Sequence, residues 1–257
     1  MNYECFKVDI QDHIATVVFD RPPVNAQNRR SRDELTHIFD SFCDNDAVRV
    51  VILTGGGKTF SAGADVKERV GMAKEDGEYM RHNRVTREFF YAVEDCTKPV
   101  ITAVNGPAIG AGFYLMMCGD IIIASEDTVV AMTEVDVGLS GGMKFLSDHF
   151  GRSYARYIYY TGRRIPAAEL YRLGVIQACV PQDRLMDTAL DIARDIASKS
   201  PIAVQTAKRG FNTVAQMPSR DAYRHEQSLT VMLSKSEYTR EAQAAFLEKR
   251  KAKFDDR

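Results

Sequence analysis

The chain has 257 residues, of which 45% are hydrophobic and 27% charged, so it can bury a substantial core as one large domain or as one domain with an appendage. Its net charge is -1, from 34 basic and 35 acidic side chains, which argues against general nucleic-acid binding and leaves only a local basic patch open. Five scattered cysteines without C-x-x-C spacing argue against a disulfide scaffold or a zinc site and favour free thiols in a reducing cytoplasm.

The N-terminal residues lack both the basic start and the apolar centre of a signal peptide. No uninterrupted apolar run approaches the roughly 20 residues that are needed to span a bilayer. We therefore expect a soluble cytoplasmic protein that does not bind membranes.

The first fifty residues predict a hairpin, a helix and a third strand. Residues 6–10 and 14–19 are rich in β-forming side chains and flank a Gln-Asp-His turn. From Ser31 the apolar side chains follow the spacing of an amphipathic helix, and His37 lies off that stripe, where we expect it at the surface. Residues 48–53 are almost continuously apolar, which is typical of a strand covered on both faces.

The most informative stretch is residues 100–120. A β-type run over residues 100–104 breaks at Asn105-Gly106-Pro107, and Gly110-Ala111-Gly112 then precedes an apolar helical run over residues 113–118. A strand that leads through glycines into a helix directs unpaired backbone N–H groups at one point. The stretch therefore predicts an anion or oxyanion site, and the alternative is a tight crossover in an α/β domain.

Residues 60–68 repeat this arrangement. Small residues turn the chain before Asp65, which is placed to cap a helix beginning at Val66. The backbone N–H groups near Ala64 and Ala111 could thus converge on one carbonyl oxygen and stabilise an oxyanion or an enolate.

Glu134 is the candidate for proton transfer next to such a carbonyl. It follows a short predicted strand and lies among Val129, Met132, Val135 and Val137 in the sequence, so we expect partial desolvation to raise its pKa toward the range useful for acid–base catalysis. The alternative is a solvated turn glutamate.

The rest of the chain predicts further strands and then helices. Residues 71–83 lack a clean period and indicate a helix or loop bordering a pocket. Beyond Arg152 the chain is mainly helical, so we expect one α/β domain with a helical C-terminal portion. The predicted helices cover residues 85–93, 143–150, 154–161, 166–173, 184–200, 201–214, 220–234 and 239–251.

Several other chemistries have little support. The chain contains no G-x-S-x-G elbow, no H-E-x-x-H, no P-loop and no dinucleotide fingerprint. Its five histidines show no metal-ligand spacing. We therefore expect no metal site.

Two long motifs carry a family resemblance. Phe60-Ser-Ala-Gly-Ala-Asp-Val-Lys-Glu68 is similar to the AGAD-x-KE motif of the crotonase (enoyl-CoA hydratase/isomerase) superfamily, and residues 98–112 resemble its KPVIAAVNG-x-A-x-GGG signature. The resemblance implies a spiral of ββα units over residues 1–200 and a helical trimerisation region over residues 201–257. It also implies a homotrimer or a dimer of trimers, an acyl-CoA thioester substrate, and no cofactor apart from the coenzyme A carried by that substrate.

By the same resemblance, the N–H groups of Ala64 and Ala111 would bind the thioester oxygen. A C-terminal tail, comprising Lys249, Lys253 and Phe254, would reach a neighbouring subunit's nucleotide, the alternative being a basic surface tail. The residues implied to contact coenzyme A around the two turns are Ala62, Ala64, Asp65, Val66, Lys67 and Ala111.

One position departs from the family pattern. Hydratases of this family usually have two glutamates beside the substrate double bond, and here Glu134 matches the second while Tyr114 stands at the first. The loop Gly138-Leu-Ser-Gly-Gly-Met143 also lacks the proline of the usual G-x-x-PGAGG pattern. Tyr114 is therefore either a catalytic phenol or a core aromatic residue.

The resemblance implies an enoyl-CoA hydratase that forms or protonates a thioester enolate, with Glu134 as general acid and base. Because one carboxylate is sufficient to move a proton between carbons, an enoyl-CoA isomerase is an alternative. A hydroxycinnamoyl-CoA hydratase-lyase-like enzyme and an acyl-CoA decarboxylase are further alternatives. A non-catalytic or RNA-binding scaffold is disfavoured by the retained Glu134, the two turns and the balanced charge.

Overall fold

The structure is a computed structural model that describes residues 3–69 and 76–254. Within those residues, no helix has both the length and the apolar character required to cross a bilayer. The chain forms mixed α/β architecture with a six-stranded and a three-stranded sheet.

The larger sheet has the order β1-β2-β3-β4-β6-β9. β1 and β2 form the predicted antiparallel hairpin, with Phe6 opposite Phe19, and every later pairing in this sheet is parallel. The strands are β1 (Phe6–Gln11), β2 (Ile14–Phe19), β3 (Val50–Gly55), β4 (Val100–Val104), β6 (Ile121–Ser125) and β9 (Ala178–Val180).

The central strands are buried on both faces, as the continuous apolar runs predict. Successive side chains of a strand point to opposite faces, so Val51 and Leu53 of β3 pack with the first helices of the chain, whereas Val50 and Ile52 pack against a later helix that contains Ala189. This central sheet is the rigid layer that holds the following turns in place.

The smaller sheet consists of β5 (Ala108–Ile109), β7 (Val129–Ala131) and β8 (Ile165–Pro166). β5 lies parallel to β7, with Ala108 opposite Val130, and an isolated parallel bridge joins Ser61 to Ala108. This sheet therefore connects the turn near Ser61, the turn that follows β5, and the segment that follows β7.

The helices agree in order with the sequence prediction. His37 is exposed, as expected, and the predicted stripe of α1 is buried. The helices are α1 (Arg29–Cys43), α2 (Val66–Arg69), α3 (Glu78–Glu94), α4 (Ala111–Met117), α5 (Met143–His149), α6 (Arg152–Thr161), α7 (Ala167–Arg172), α8 (Leu185–Ala197), α9 (Pro201–Val214), α10 (Ser219–Leu233) and α11 (Glu237–Leu247).

Two predicted regions differ from the structure or extend beyond it. The last helix ends at Leu247 rather than near residue 251, because the backbone turns at Lys249, whose φ of 54° is incompatible with a right-handed helix. The segment 71–83 lies partly outside the described residues, and its remainder enters α3 at Glu78. The division at residue 200, the ββα spiral and the trimer remain predictions.

Candidate active site

A cavity of about 400 Å³ lies between the first turn of α4, one face of α3 and the segment that follows β7. It contains three of the residues that the sequence singles out, namely Ala111, Tyr114 and Glu134. The other lining residues are Tyr79, Asn83, Thr86, Arg87, Phe90, Tyr91, Met132, Leu139, Ser140, Gly141 and Gly142.

The turn around Ala64 is held by main-chain pairing with Gln27. The Gln27 N–H donates to Gly63 O at 2.7 Å, and the Asp65 N–H donates to Gln27 O at 2.9 Å. These two bonds form a parallel bridge between Gln27 and Ala64, in which the residues on either side of Ala64 make the bonds, so the Ala64 N–H points away from Gln27. Ala62 is tied in a similar way, since its N–H donates to Val24 O at 2.9 Å.

The turn around Ala111 begins at Gly110, which has a φ of 53° and donates its N–H to Ala131 O at 2.8 Å. Ala111 is the first residue of α4. Its N–H consequently has no partner within the helix, and it lies at the positive end of the helix dipole.

The two turns touch each other through glycines. A Cβ atom on Gly63, where φ is 87°, would lie 2.5 Å from Ile109 O and 3.2 Å from Ala111 N. A Cβ atom on Gly112 would lie 2.1 Å from Ser61 O. The close approach of the turns therefore requires glycine at both positions, and it brings the Ala64 and Ala111 segments together as the sequence predicts.

Gln27 is a residue that sequence reasoning missed. Its side chain is completely buried, and its Nε2 donates to Ala111 O at 3.0 Å. The same residue thus pairs with the turn of Ala64 through its main chain and with the turn of Ala111 through its side chain. Nothing in the local pattern indicates this role, because its side-chain partner lies 84 positions away.

Glu134 is half-buried and begins a short 3-10 helix just after β7. Its Oε1 lies 3.0 Å from the position that a Cβ on Gly110 would occupy. The absence of a side chain at Gly110 therefore makes room for this carboxylate. Gly110 directly precedes Ala111 in the chain, so the carboxylate lies close to the start of α4.

Tyr114 lies on α4, on another wall of the cavity, within a group of aromatic side chains. Its ring centroid is 4.1 Å from that of Phe90 and 3.8 Å from that of Phe145. Burial raises the pKa of the Tyr114 phenol well above its usual value, and nearby titratable groups, among them Cys118, Tyr91 and Glu94, raise it further. The phenol is therefore neutral at ordinary pH.

The loop that replaces the proline-containing family pattern is held by Tyr159. The Gly141 N–H donates to the Tyr159 hydroxyl at 3.0 Å, and that hydroxyl donates to Ser140 Oγ at 3.4 Å. Gly142 has a φ of 82°, and a Cβ there would lie 3.2 Å from the Tyr114 ring. The loop thus closes the cavity against Tyr114 without a proline.

The remaining predicted contacts to coenzyme A lie outside the cavity lining. Asp65 caps α2, as predicted, by accepting a hydrogen bond from the Lys67 N–H at 3.1 Å, and it also pairs with Arg21 at 3.0 Å. Ala62, Val66 and Lys67 are exposed. They form an open surface on which a nucleotide could lie, and their contact with coenzyme A remains a prediction.

The C-terminal tail folds back onto its own chain. The Lys253 N–H donates to Glu241 Oε1 at 2.8 Å, and Arg49 donates to Phe254 O at 2.7 Å. The ring of Phe254 lies 5.8 Å from that of Tyr238. Together with the exposed Lys249, these residues lie outside the cavity lining of their own chain, and their contact with a neighbour's nucleotide remains a prediction.

Metal-binding side chains do not cluster in the parts of the chain that the structure describes. Within residues 3–69 and 76–254, no group of three or more His, Cys, Asp or Glu side chains is arranged to hold a metal ion.

Known proteins are similar in sequence to this chain over almost its whole length. A relative from Rhodococcus jostii (strain RHA1), named "(7aS)-7a-methyl-1,5-dioxo-2,3,5,6,7,7a-hexahydro-1H-indene-carboxyl-CoA hydrolase", is 36% identical over 239 residues, 92% of each chain. A "Carnitinyl-CoA dehydratase" from Citrobacter koseri is 33% identical over 246 residues, covering 92% of this chain and 93% of the relative.

The fold is also matched by a solved structure. The crystal structure of an enoyl-CoA hydratase from Bacillus anthracis superposes with a TM-score of 0.93 at 32% identity, covering 99% of this chain and all of the other. The sequence profile described as "Enoyl-CoA hydratase/isomerase" matches residues 9–257. The chain therefore belongs to the enoyl-CoA hydratase/isomerase family and is an enzyme of the crotonase superfamily.

Proposed function

We propose that this protein catalyses the reversible hydration of an enoyl-CoA thioester through a thioester enolate, without a metal or a separate cofactor. Coenzyme A enters and leaves as part of the substrate. In the hydration direction, water adds its hydroxyl group to the β-carbon and a proton is added to the α-carbon. The names of the hydratase and dehydratase relatives support this reaction class.

The N–H groups of Ala64 and Ala111 are suited to bind the thioester oxygen as it gains negative charge. They belong to two turns in direct contact, and the second lies at a helix N-terminus. Donors of this kind act on the transition state more than on the ground state, and the loss of one costs on the order of 3 kcal/mol.

The observation that carries the proposal is the position of Glu134. Its carboxylate is in contact range of the Gly110 turn, and it is the one carboxylate among the described residues that line the cavity. A carboxylate beside an oxyanion site can deprotonate the attacking water and then deliver that proton to the α-carbon.

Isomerisation of an enoyl-CoA is the second candidate, and it is favoured by the same single carboxylate. Moving a double bond requires one base that removes a proton from one carbon and returns it to another. Hydration additionally requires the water to be oriented, and Ser140 is a polar residue of the same cavity lining that could do so.

To test the proposal, the purified protein is incubated in deuterated water with CoA thioesters of four kinds, namely saturated, 2-enoyl, 3-enoyl and aromatic enoyl. Hydration removes the conjugated enoyl absorbance and adds one molecule of deuterated water to the mass, whereas isomerisation of the 3-enoyl thioester creates that absorbance and changes the mass only by exchange of hydrogen for deuterium. Exchange of deuterium into the α-position of a saturated thioester reports enolate formation alone.

We expect hydration of at least one 2-enoyl thioester together with α-exchange. Isomerisation without hydration would replace the leading reaction by the second candidate. The absence of exchange, hydration and isomerisation on every thioester that binds would contradict the enolate mechanism itself.

We also propose that the chain assembles into a homotrimer or a dimer of trimers through its C-terminal helices. In support, α10 has no buried residue in the single chain, and α9 to α11 expose large apolar side chains. The most exposed of these are Phe246, Leu247 and Phe211. Light scattering coupled to size-exclusion chromatography measures the assembly, and a monomer at micromolar concentration would contradict this proposal.

A further inference from the structure

One face of α3 forms a wall of the cavity. The lining residues Tyr79, Asn83, Arg87 and Phe90 recur at spacings of three and four, so they are stacked along a single face of the helix. This face extends for about 10 Å from Asn83 to Phe90, given the rise of an α-helix. An acyl chain that leaves the Glu134 region along this wall therefore passes these side chains in turn.

The wall changes character along its length. At its C-terminal end, the buried Phe90 packs on Tyr114 at 4.1 Å between ring centroids, which gives an apolar surface. Towards its N-terminal end the side chains are polar, namely Asn83, Thr86 and Arg87. A purely aliphatic acyl chain gains binding free energy by burying apolar surface at the C-terminal end. At the N-terminal end it displaces water from the polar side chains without offering them hydrogen bonds, which costs free energy.

Arg87 and Glu134 are the two charged residues among the described residues that line the cavity. The Arg87 guanidinium pairs with the Glu88 carboxylate, with Nε 3.4 Å from Oε1, and both side chains are more than half exposed. An exposed ion pair of this kind contributes little to stability. The guanidinium can therefore exchange Glu88 for a carboxylate of a bound molecule, which it can hold with two parallel hydrogen bonds.

We propose that the preferred substrate carries a carboxylate at the far end of its acyl group, and that Arg87 binds it. This inference rests on the proposed function, since it concerns the acyl group of the same thioester. The Glu134 carboxylate at the reacting end repels a second anion, so the two charges together orient the acyl group with its carboxylate towards Arg87. The same arginine disfavours an acyl group that ends in a quaternary ammonium, such as the carnitinyl group in the name of the Citrobacter relative.

The test uses three CoA thioesters of equal chain length that end in a methyl group, a carboxylate or a trimethylammonium group, with free CoA as a fourth ligand. Dissociation constants are measured by calorimetry for the wild type, Arg87→Gln and Arg87→Glu. Arg84→Gln is the matched control, because Arg84 is exposed on the same helix and is not part of the cavity lining.

We expect the wild type to bind the carboxylate-ended thioester roughly 10-fold more tightly than the methyl-ended one, in line with a charge-assisted hydrogen bond. Arg87→Gln should abolish this preference, Arg87→Glu should shift it to the trimethylammonium thioester, and Arg84→Gln should leave it unchanged. Binding of free CoA should be the same in all four proteins.

Three results would overturn the inference. Equal binding of the three thioesters by the wild type would rule out a preference for carboxylate-ended substrates and leave the proposed function intact. Equal weakening of free CoA and of every thioester by Arg87→Gln would assign Arg87 to the CoA phosphates. Failure of every thioester and of free CoA to bind would contradict the proposed function together with the inference.

Discussion

Two walls of the cavity differ in a way that separates chemistry from packing. On one wall, Glu134 lies beside Gly110, where a missing side chain leaves room for a carboxylate. On another, Tyr114 is enclosed by Phe90 and Phe145, and burial keeps its phenol neutral. In the proposed reaction we therefore assign proton transfer to the Glu134 wall, and we expect the Tyr114 wall to shape the space for the acyl group.

The largest effect should come from Glu134→Gln, which removes the base and keeps the volume. We expect kcat to fall by about 10³-fold, within the range typical of general acid–base catalysis, while the dissociation constant of free CoA is unchanged. Steady-state kinetics with calorimetry measures both. Asp136→Asn, an exposed carboxylate two positions away, is the control and should retain activity; near-normal activity of Glu134→Gln would contradict its role.

A smaller but clear loss should follow Gly110→Ala. The new Cβ would lie 3.0 Å from Glu134 Oε1 at a φ of 53°, so the carboxylate must shift and the backbone is strained. We expect a 10- to 100-fold loss of kcat, since a misplacement of about 1 Å can cost on the order of 100-fold.

The matched control for Gly110→Ala is Gly174→Ala. Gly174 has a φ of 73° and open space around it, so its substitution also places a side chain at positive φ, but away from the cavity. Each variant should lose at least about 1 kcal/mol of stability in thermal or urea unfolding. Equal catalytic losses in the two would show that the clash with Glu134 is irrelevant.

Gln27→Leu should have an intermediate effect by loosening the two turns. The substitution removes the hydrogen bond to Ala111 O while the main-chain pairing with Gly63 remains. We expect kcat to fall roughly 10-fold, equivalent to the loss of one hydrogen bond, with CoA affinity retained.

Gln177→Leu serves as the control for Gln27→Leu. Gln177 accepts a hydrogen bond from the Ile122 N–H at 2.8 Å and lies outside the cavity lining. Gln177→Leu should lower the stability of the protein and leave kcat unchanged. If Gln27→Leu changes only stability as well, its role is confined to folding.

The smallest effect should come from Tyr114→Phe. Because burial raises the pKa of the Tyr114 phenol, the group does not titrate in the working range, and removing its hydroxyl should change kcat by less than about 3-fold. The pH–rate profile should be unaltered up to about pH 10, the usual pKa of tyrosine. A 100-fold loss of kcat that no other aromatic residue at position 114 restores would instead identify a catalytic phenol.

Much of the fold could be predicted because the local signals agree. The β-rich runs of β1 and β2, the apolar run of β3 and the helical stripe of α1 each appear at the expected place. The predicted end of α11 was wrong, because apolar periodicity says little about where a helix gives way to a turn. The turn at Lys249 depends on the contacts of the residues that follow it.

The candidate site was only partly predictable. Glycines next to a helix start have a local signature, so the turns at Ala64 and Ala111 could be identified from residue order. The link through Gln27 and the position of Arg87 on the cavity wall could not be predicted, because both depend on which segments meet after folding. Tyr114 remained ambiguous until its aromatic neighbours were known.

The Gly63–Gly112 contact has a consequence for how this site would respond to random mutation. The proposed anion-binding donors are peptide groups, which every amino acid except proline supplies, so positions 64 and 111 should accept several small side chains. The intolerant positions should instead be the neighbouring glycines, where any added atom would meet a carbonyl oxygen within 2.5 Å. A deep mutational scan would therefore outline the catalytic centre as a pair of intolerant glycines around two permissive alanines.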